Sequence, residues 1–143
     1  MAAWLLGGSA SADAQQATEI GAEGLATFSD PILMVAGLYG AVRSSERVRI
    51  SALLGGGSSD EDFAWRGELM GNFLLSPLRR HGWGSYLAGG LAAVGGPVSR
   101  GYLVLALGIE ESPGASGGWA GELGIGGGVR LAVGYRWRRL RSR

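Results

Sequence analysis

Apolar and polar residues alternate along most of this chain, and the alternation is clearest towards its C-terminal end. From residue 129 to 137, arginines and small residues occupy one parity, and the other parity holds Val129, Leu131, Val133, Tyr135 and Trp137. A period of two residues places successive side chains on opposite faces of a β-strand. Residues 117–125 alternate in the same way and are joined to this strand by three glycines. The pattern therefore predicts a β-hairpin.

The same alternation, interrupted by clusters of Gly, Pro, Ser and Asp, predicts eight short strands. They cover residues 18–28, 32–43, 47–55, 63–75, 82–94, 98–110, 119–125 and 129–137. A helix is the competing interpretation for the second and fifth segments, which contain Ala and Leu, but their glycines oppose a helix interior. No connection is long enough for a parallel crossover. We therefore predict an all-β, eight-stranded antiparallel up-and-down barrel in which consecutive strands pair.

Charged residues share one parity within each predicted strand that contains them, and that parity is otherwise rich in Gly and Ala. If this face lines a closed barrel, its charges must be paired, because an isolated buried charge is costly. The carboxylates and guanidiniums nearly balance, as pairing requires. The predicted ladder of lumen ion pairs comprises Glu19, Glu23, Arg43, Arg49, Arg66, Glu68, Arg100, Glu110, Glu122, Arg130 and Arg136.

The opposite parity is apolar and carries aromatic residues near the strand ends. Alternation alone does not decide which face is inside, so a soluble periplasmic barrel that binds an apolar ligand stays open as an alternative. The interior of an eight-stranded barrel is barely wide enough for packed side chains, whereas aromatic residues at the two water–lipid interfaces form girdles. We predict a transmembrane barrel whose girdle consists of Phe28, Trp65, Phe73, Trp83, Trp119, Tyr135 and Trp137.

The amino-acid composition excludes several other classes of protein. Glycine supplies 28 of the 143 residues without a collagen period, which suits tightly curved strands. The chain has no cysteine, which excludes disulfides and zinc fingers. Its net charge is +1, so no nucleic-acid partner is implied.

The ends of the chain are predicted to lie outside the barrel. A short apolar piece, residues 2–6, precedes Ala12-Asp13-Ala14, which has the small residues of a signal-peptide cleavage site. We interpret residues 1–14 as a partial signal peptide, residues 15–138 as the barrel domain and residues 139–143 as a basic tail, with the residues from Arg138 onwards as a frayed terminus.

The chain resembles the small eight-stranded outer-membrane β-barrels of Gram-negative bacteria, the OmpA/OmpX-like barrels. The resemblance covers residues 18–137, and its most specific part is VRLAVGYRW at 129–137. This segment is similar to the C-terminal signal that the barrel-assembly machinery reads, although here RRLRSR follows the aromatic residue. The resemblance implies a location in the bacterial outer membrane, contact with membrane lipids and lipopolysaccharide, and help from the assembly machinery during biogenesis.

The residues that could act in catalysis or bind a metal do not form a recognised active-site or metal-site motif. His81 lies near Ser76 and Ser85, so a Ser–His lipid-modifying enzyme is a weaker alternative, but no orienting acid is evident. The acidic segment 60–62 could hold a divalent cation together with lipopolysaccharide headgroups, although a solvated loop tip is the more ordinary interpretation. We predict no catalytic residue, no cofactor and no metal.

Together these observations predict a monomeric, porin-like outer-membrane barrel that is not an enzyme. Eight strands leave no aqueous pore, so a lumen plugged by structural ion pairs is favoured over a channel or a proton path. The predicted role is structural or surface-related.

Overall fold

Eight antiparallel strands form one closed sheet in the computed structural model, which describes residues 17–96 and 99–140. The strands are β1 (Ala17–Phe28), β2 (Leu33–Arg43), β3 (Val48–Ser59), β4 (Asp62–Leu74), β5 (Trp83–Gly95), β6 (Arg100–Glu111), β7 (Gly117–Ile125) and β8 (Val129–Leu140). Each strand pairs with its neighbours in sequence, and β8 also pairs with β1. The prediction of an all-β, up-and-down barrel is confirmed. Among the described residues, no helix has the length and apolar character to span a membrane.

Two strands extend three residues or more beyond their predicted ends. β3 continues past residue 55 through residues 56–59, which pair on both sides with β2 and β4. β8 continues beyond Trp137 to Leu140, because its last residues pair with the start of β1. The prediction of a frayed terminus from Arg138 onwards is therefore wrong for residues 138–140. The predicted signal peptide, residues 1–14, and residues 141–143 lie outside the described residues.

The strand directions define two ends of the barrel. The start of β1 and the end of β8 lie at one end, which we call the terminus end, together with the connections 44–47, 75–82 and 112–116. The ends of β1, β3, β5 and β7 lie at the other end of the barrel, which we call the turn end. The longer connections, 75–82 and 112–116, are both at the terminus end.

Glycines on the lumen side allow the sheet to curve tightly enough to close. A Cβ atom at Gly37 or Gly90 would collide with the backbone of the neighbouring strand, at Leu54 and Leu69 respectively. A residue with a side chain at either position would push the two strands apart. These glycines therefore fit the close approach of strand backbones that a narrow barrel needs.

Alternation along each strand sorts the side chains into a lumen set and an outward set. The lumen set includes fourteen polar or charged residues that are buried, among them Glu19, Arg49 and Arg66, which are 0% exposed. The outward set consists of exposed Leu, Ile, Val, Met and aromatic residues, such as Leu103 at 77% and Leu38 at 75% exposure. The apolar face points outward, so the alternative barrel with its apolar parity inward is wrong.

Candidate functional site

The polar residues of the lumen form one connected network to which all eight strands contribute. The members with ionisable side chains are Glu19, Glu23, Glu68, Glu110 and Glu122 with Arg43, Arg49, Arg66, Arg130, Arg136 and Arg138, and Tyr86 adds the contribution of β5. Every ion-paired side chain in the network is at most 7% exposed. Burial of this kind is tolerated because each charge faces the opposite charge at short range.

In the half nearest the terminus end, two arginines bridge the same two carboxylates. Arg49 donates to Glu19 at 3.1 Å and to Glu110 at 2.9 Å. Arg138 donates to Glu19 at 2.9 Å and to Glu110 at 3.2 Å. The strands β1, β3, β6 and β8 are thus tied across the lumen, and Arg43 of β2 adds a third guanidinium, 3.4 Å from Glu19.

In the half nearest the turn end, Arg130 makes the most extensive contacts. Its Nε and Nη2 donate to the two oxygens of Glu68 at 2.9 and 2.5 Å, which is a bidentate arrangement. Its Nη1 donates to Glu122 at 2.7 Å. Arg66 lies on the other side of Glu68, to which its Nε donates at 2.8 Å, while its Nη1 donates to the Gly126 carbonyl at 3.1 Å.

Arg136 joins the two halves. Its guanidinium lies 3.3 Å from Glu110, which belongs to the terminus half, and 3.3 Å from Glu122, which belongs to the turn half. It also lies 3.6 Å from Glu23. The network therefore runs without a break along the barrel axis.

Two buried tyrosines complete the surroundings of these arginines. The guanidinium carbon of Arg136 lies 4.2 Å from the ring centroid of Tyr39 and 5.6 Å from that of Tyr86, and Arg49 lies 4.8 Å from the Tyr86 ring. The Nε atoms of both arginines donate no hydrogen bond. Contact with the aromatic face supplies the attraction that such N–H groups otherwise lack. The predicted ladder contains neither tyrosine, although each has the parity of the charged residues.

The network differs from the predicted ladder at two positions. Arg100 has the lumen parity, but it lies at the first residue of β6, is exposed, and makes no ion pair with a described residue. Arg138, which the prediction left out of the ladder, is 4% exposed and is held by Glu19 and Glu110. The remaining ten residues of the predicted ladder are buried and lie within the network.

The predicted aromatic residues lie outward near the strand ends. Phe73, Trp83, Trp119 and Trp137 are about half exposed near the terminus end, where Tyr135 is partly buried between the two last-named tryptophans. Phe28 and Trp65 lie near the turn end, and Phe63, which was not among the predicted residues, lies beside them at 71% exposure. The outward strand positions carry charge only at the terminus end, at Glu111 and Arg139.

At the terminus end, the two long connections lie across the mouth of the lumen. Gly114 donates its backbone N–H to the Arg79 carbonyl at 2.7 Å, which links the connections to each other. From inside the barrel, Arg43 donates to the carbonyl oxygens of Pro113 at 2.6 Å and Pro77 at 3.3 Å. Pro113 is among the fully buried side chains. The network thus extends into the connections and holds them over the lumen.

At the turn end, the barrel mouth is hollow. A cavity of about 500 Å³, which we call the vestibule, is lined by residues from several strands and turns: Thr27, Ser29, Asp30, Pro31, Leu33, Ser59, Asp60, Asp62, Ala64, Arg66, Val94, Gly95, Arg100, Tyr102 and Gly127. Arg66 connects the vestibule to the ion-pair network below it. The sequence carries no signal for this cavity, because the cavity depends on how strands and three connections from different parts of the chain converge.

The other candidate groups do not come together in the described residues. No hydrogen bond joins His81, which is exposed, to Ser76 or Ser85, and Ser85 faces outward from β5. The acidic residues at 60–62 form no metal-binding group with other described side chains.

Comparison with known proteins identifies the fold. No protein-family model matches the chain, and no curated protein is similar to it in sequence. Among solved structures, the N-terminal β-barrel domain of Pseudomonas aeruginosa OprF aligns with a TM-score of 0.73, at 15% sequence identity, over 88% of this chain and 99% of that one. The chain has the fold of the OprF N-terminal barrel. A likeness at 15% sequence identity shows the fold alone and assigns no role to individual residues of the lumen network.

Proposed function

We propose that this protein is an integral outer-membrane β-barrel whose lumen is plugged by ion pairs and whose role is structural or surface-related rather than catalytic. It would function as a monomer in contact with membrane lipids and lipopolysaccharide, after insertion by the barrel-assembly machinery. The OprF-like fold supports a barrel of the outer-membrane type.

The observation that carries this proposal is the inverted distribution of side chains. Large apolar residues cover the outward face of every strand, and the buried charged residues are inside. Soluble monomers rarely expose continuous apolar patches larger than a few hundred Å², and this apolar surface surrounds the barrel. Lipid is the solvent that favours such a surface, and the charges at Glu111 and Arg139 lie at one rim, where a bilayer would end.

The dimensions of the barrel agree with this environment. A tilted strand needs about 9–11 residues to cross the hydrocarbon core, and the strands here contain 9 to 13 residues. Closure of β8 on β1 leaves no strand edge with unpaired backbone groups, which is the condition for exposing a sheet to lipid. A closed sheet also requires no partner strand from another chain, which favours a monomer.

Three features support a plugged lumen. The barrel has the strand number at which side chains fill the interior. The ion-pair network crosses the lumen at several levels, and the Arg43 contacts hold Pro77 and Pro113 over the terminus end. The lumen carboxylates are engaged by guanidiniums, which is the arrangement of a structural network and leaves no evident general base.

The proposal is tested by placing one charge at two depths on the outward face. Leu105 lies at the middle of β6, and Ser58 lies outward near the turn end. An arginine on the lipid face costs about 2–4 kcal/mol at the midplane and about 0–1 kcal/mol near an interface. We therefore expect Leu105→Arg to lower the equilibrium constant for folding in lipid vesicles by at least tenfold, and Ser58→Arg to leave it nearly unchanged.

The measurement is the folded fraction in vesicles over a series of urea concentrations, determined by protease protection, from which the equilibrium constant follows. Equal tolerance of both variants would contradict a lipid-facing surface. A wild-type chain that is monodisperse and folded in buffer without detergent or lipid would contradict it as well.

A further inference from the structure

The vestibule differs from the lumen below it in how its charges are arranged. In the network every carboxylate faces a guanidinium. By contrast, Asp30, Asp60 and Asp62 line the vestibule, and none of them makes an ion pair with a described residue. Arg100 also lines the cavity and is likewise without an ion pair to a described residue. The charge of Arg66 at the vestibule floor is balanced by Glu68 at 2.7 Å. The three carboxylates and Arg100 leave a net negative vestibule.

One aromatic ring lines the same cavity. Of the three tyrosines with lumen parity, Tyr39 and Tyr86 each have an arginine guanidinium against the ring. No such contact with a described residue occupies Tyr102, which is only partly buried and borders the vestibule. An aromatic ring attracts a cation to its face. No arginine therefore competes with a ligand for the Tyr102 ring, whereas an arginine already contacts each of the other two rings.

The remaining lining gives the vestibule an apolar wall. Leu33, Ala64 and Val94 border it from three different strands, and Pro31 borders it from a turn. Pockets that bind small molecules are typically concave cavities of about 300–1,000 Å³ with apolar walls and a few polar groups. The vestibule has this size and this mixture of surfaces.

We propose that the vestibule binds a small organic cation, with its positive group near Asp30, Asp60, Asp62 and Tyr102 and its apolar body against Leu33, Ala64 and Val94. The site goes beyond the membrane role proposed above, because it lies in the mouth of the barrel and does not depend on which solvent surrounds the outward face.

The distribution of charge over the whole barrel favours the same ligand class. The exposed charges of the turn end are mainly acidic: Asp30, Asp60, Glu61, Asp62 and Arg100. Those of the terminus end are mainly basic in the described part of the chain: Glu46, Arg47, Arg79, Arg80 and Arg139. A cation is thus attracted to the turn end and repelled from the terminus end, since charge of one sign around a cleft concentrates the opposite ion.

The test uses two soluble aromatic probes of opposite charge, benzyltrimethylammonium and benzenesulfonate. Each is titrated at constant ionic strength into the ¹⁵N-labelled barrel in detergent micelles, and backbone amide shifts are recorded. We expect benzyltrimethylammonium to cause saturable shifts at Thr27, Val94 and Tyr102 and none at Ser44 of the terminus end. Benzenesulfonate should cause no saturable shift at the vestibule.

Three variants change the charge by one unit. Removing a carboxylate should weaken benzyltrimethylammonium binding, and removing Arg100 should strengthen it. At the separations available inside the vestibule, we expect Asp62→Asn to raise the dissociation constant about three- to tenfold and Arg100→Gln to lower it by a similar factor. Glu46→Gln makes the same charge change as Asp62→Asn at the terminus end and should alter the constant less than about twofold, because exposed charges at that distance are screened.

Several outcomes would overturn the proposal. They are the absence of saturable shifts at the vestibule, shifts confined to outward residues, equal binding of the two probes, and an Asp62→Asn effect no larger than that of Glu46→Gln. Opposite signs for Asp62→Asn and Arg100→Gln would support it, since uptake driven by apolar contact alone responds to neither change in this way.

Discussion

The stability of the barrel should depend on Arg130 more than on any single surface charge. Its guanidinium makes three hydrogen bonds to carboxylates, two to Glu68 and one to Glu122, and lies 3.7 Å from Glu23. In Arg130→Met, the methionine keeps an apolar stem of similar reach but removes the charge. Three carboxylates then lose a buried partner.

The loss of stability in Arg130→Met depends on the contacts that these carboxylates retain. A hydrogen bond to a charged group contributes about 1.5–3 kcal/mol, so three such bonds set an upper range of about 4.5–9 kcal/mol. Glu68 retains Arg66, and Glu122 retains Arg136 and the Tyr86 hydroxyl. Removal of one member of a buried ion pair typically costs about 3–5 kcal/mol, and the retained contacts place Arg130→Met in that range.

The assay is reversible urea unfolding in lipid vesicles, followed by fluorescence of the outward tryptophans. With a urea slope of about 2 kcal/mol/M, the midpoint should fall by about 1.5–2.5 M. Arg139→Met is the matched control, because Arg139 is exposed and makes no ion pair with a described residue. Its effect should stay within about 1 kcal/mol.

A second substitution tests the mechanism. Arg130→Met combined with Glu68→Gln should be less destabilised than the sum of the two single variants, because the glutamine leaves no uncompensated charge beside the missing guanidinium. Equal midpoints for Arg130→Met and Arg139→Met would refute the reasoning, and so would strict additivity of the double variant.

Two further predictions concern packing and the terminus end. Gly108→Ala should destabilise the barrel by about 1–3 kcal/mol, because its Cβ would occupy the position of the Tyr86 ring. Gly121→Ala should be nearly neutral in the same urea assay, because its Cβ lies on the outward face and meets only a backbone oxygen, that of Ala132 at 3.8 Å. Arg43→Met should loosen the connections that it holds over the lumen, so we expect planar-bilayer recordings to show brief conductance events that the wild-type barrel lacks. Silent recordings from both proteins would contradict the role given to the Arg43 contacts.

The fold was predictable because each strand carries its own signal. Period-two alternation marks every strand, and in every predicted strand except the fifth the charges share one parity, which the structure places in the lumen. The limits of the strands were less predictable. Segment 56–59 has the composition of a turn, yet it pairs with β2 and β4 because those strands extend alongside it.

The contacts of the lumen could not be predicted, because they depend on the register of strands far apart in sequence. Arg138 shows this most clearly. Arg138 follows an aromatic residue and lies within a basic segment, which is typical of a tail outside the barrel. Pairing of β8 with β1 nevertheless brings it to Glu19. The packing of Arg136 between Tyr39 and Tyr86 similarly requires residues from three strands. Parity predicted which residues face inward, and only the closed barrel defines their partners.

The most direct test of the account is the environment of consecutive residues along β6 in a bilayer. The chain has no cysteine, so single cysteines at positions 103 to 107 can each carry a spin label without background. The account predicts that labels at Leu103, Leu105 and Leu107 are relaxed strongly by lipid-dissolved oxygen and weakly by a water-soluble nickel chelate. High accessibility of these three positions to the nickel chelate would contradict the claim that the apolar face of the barrel meets lipid.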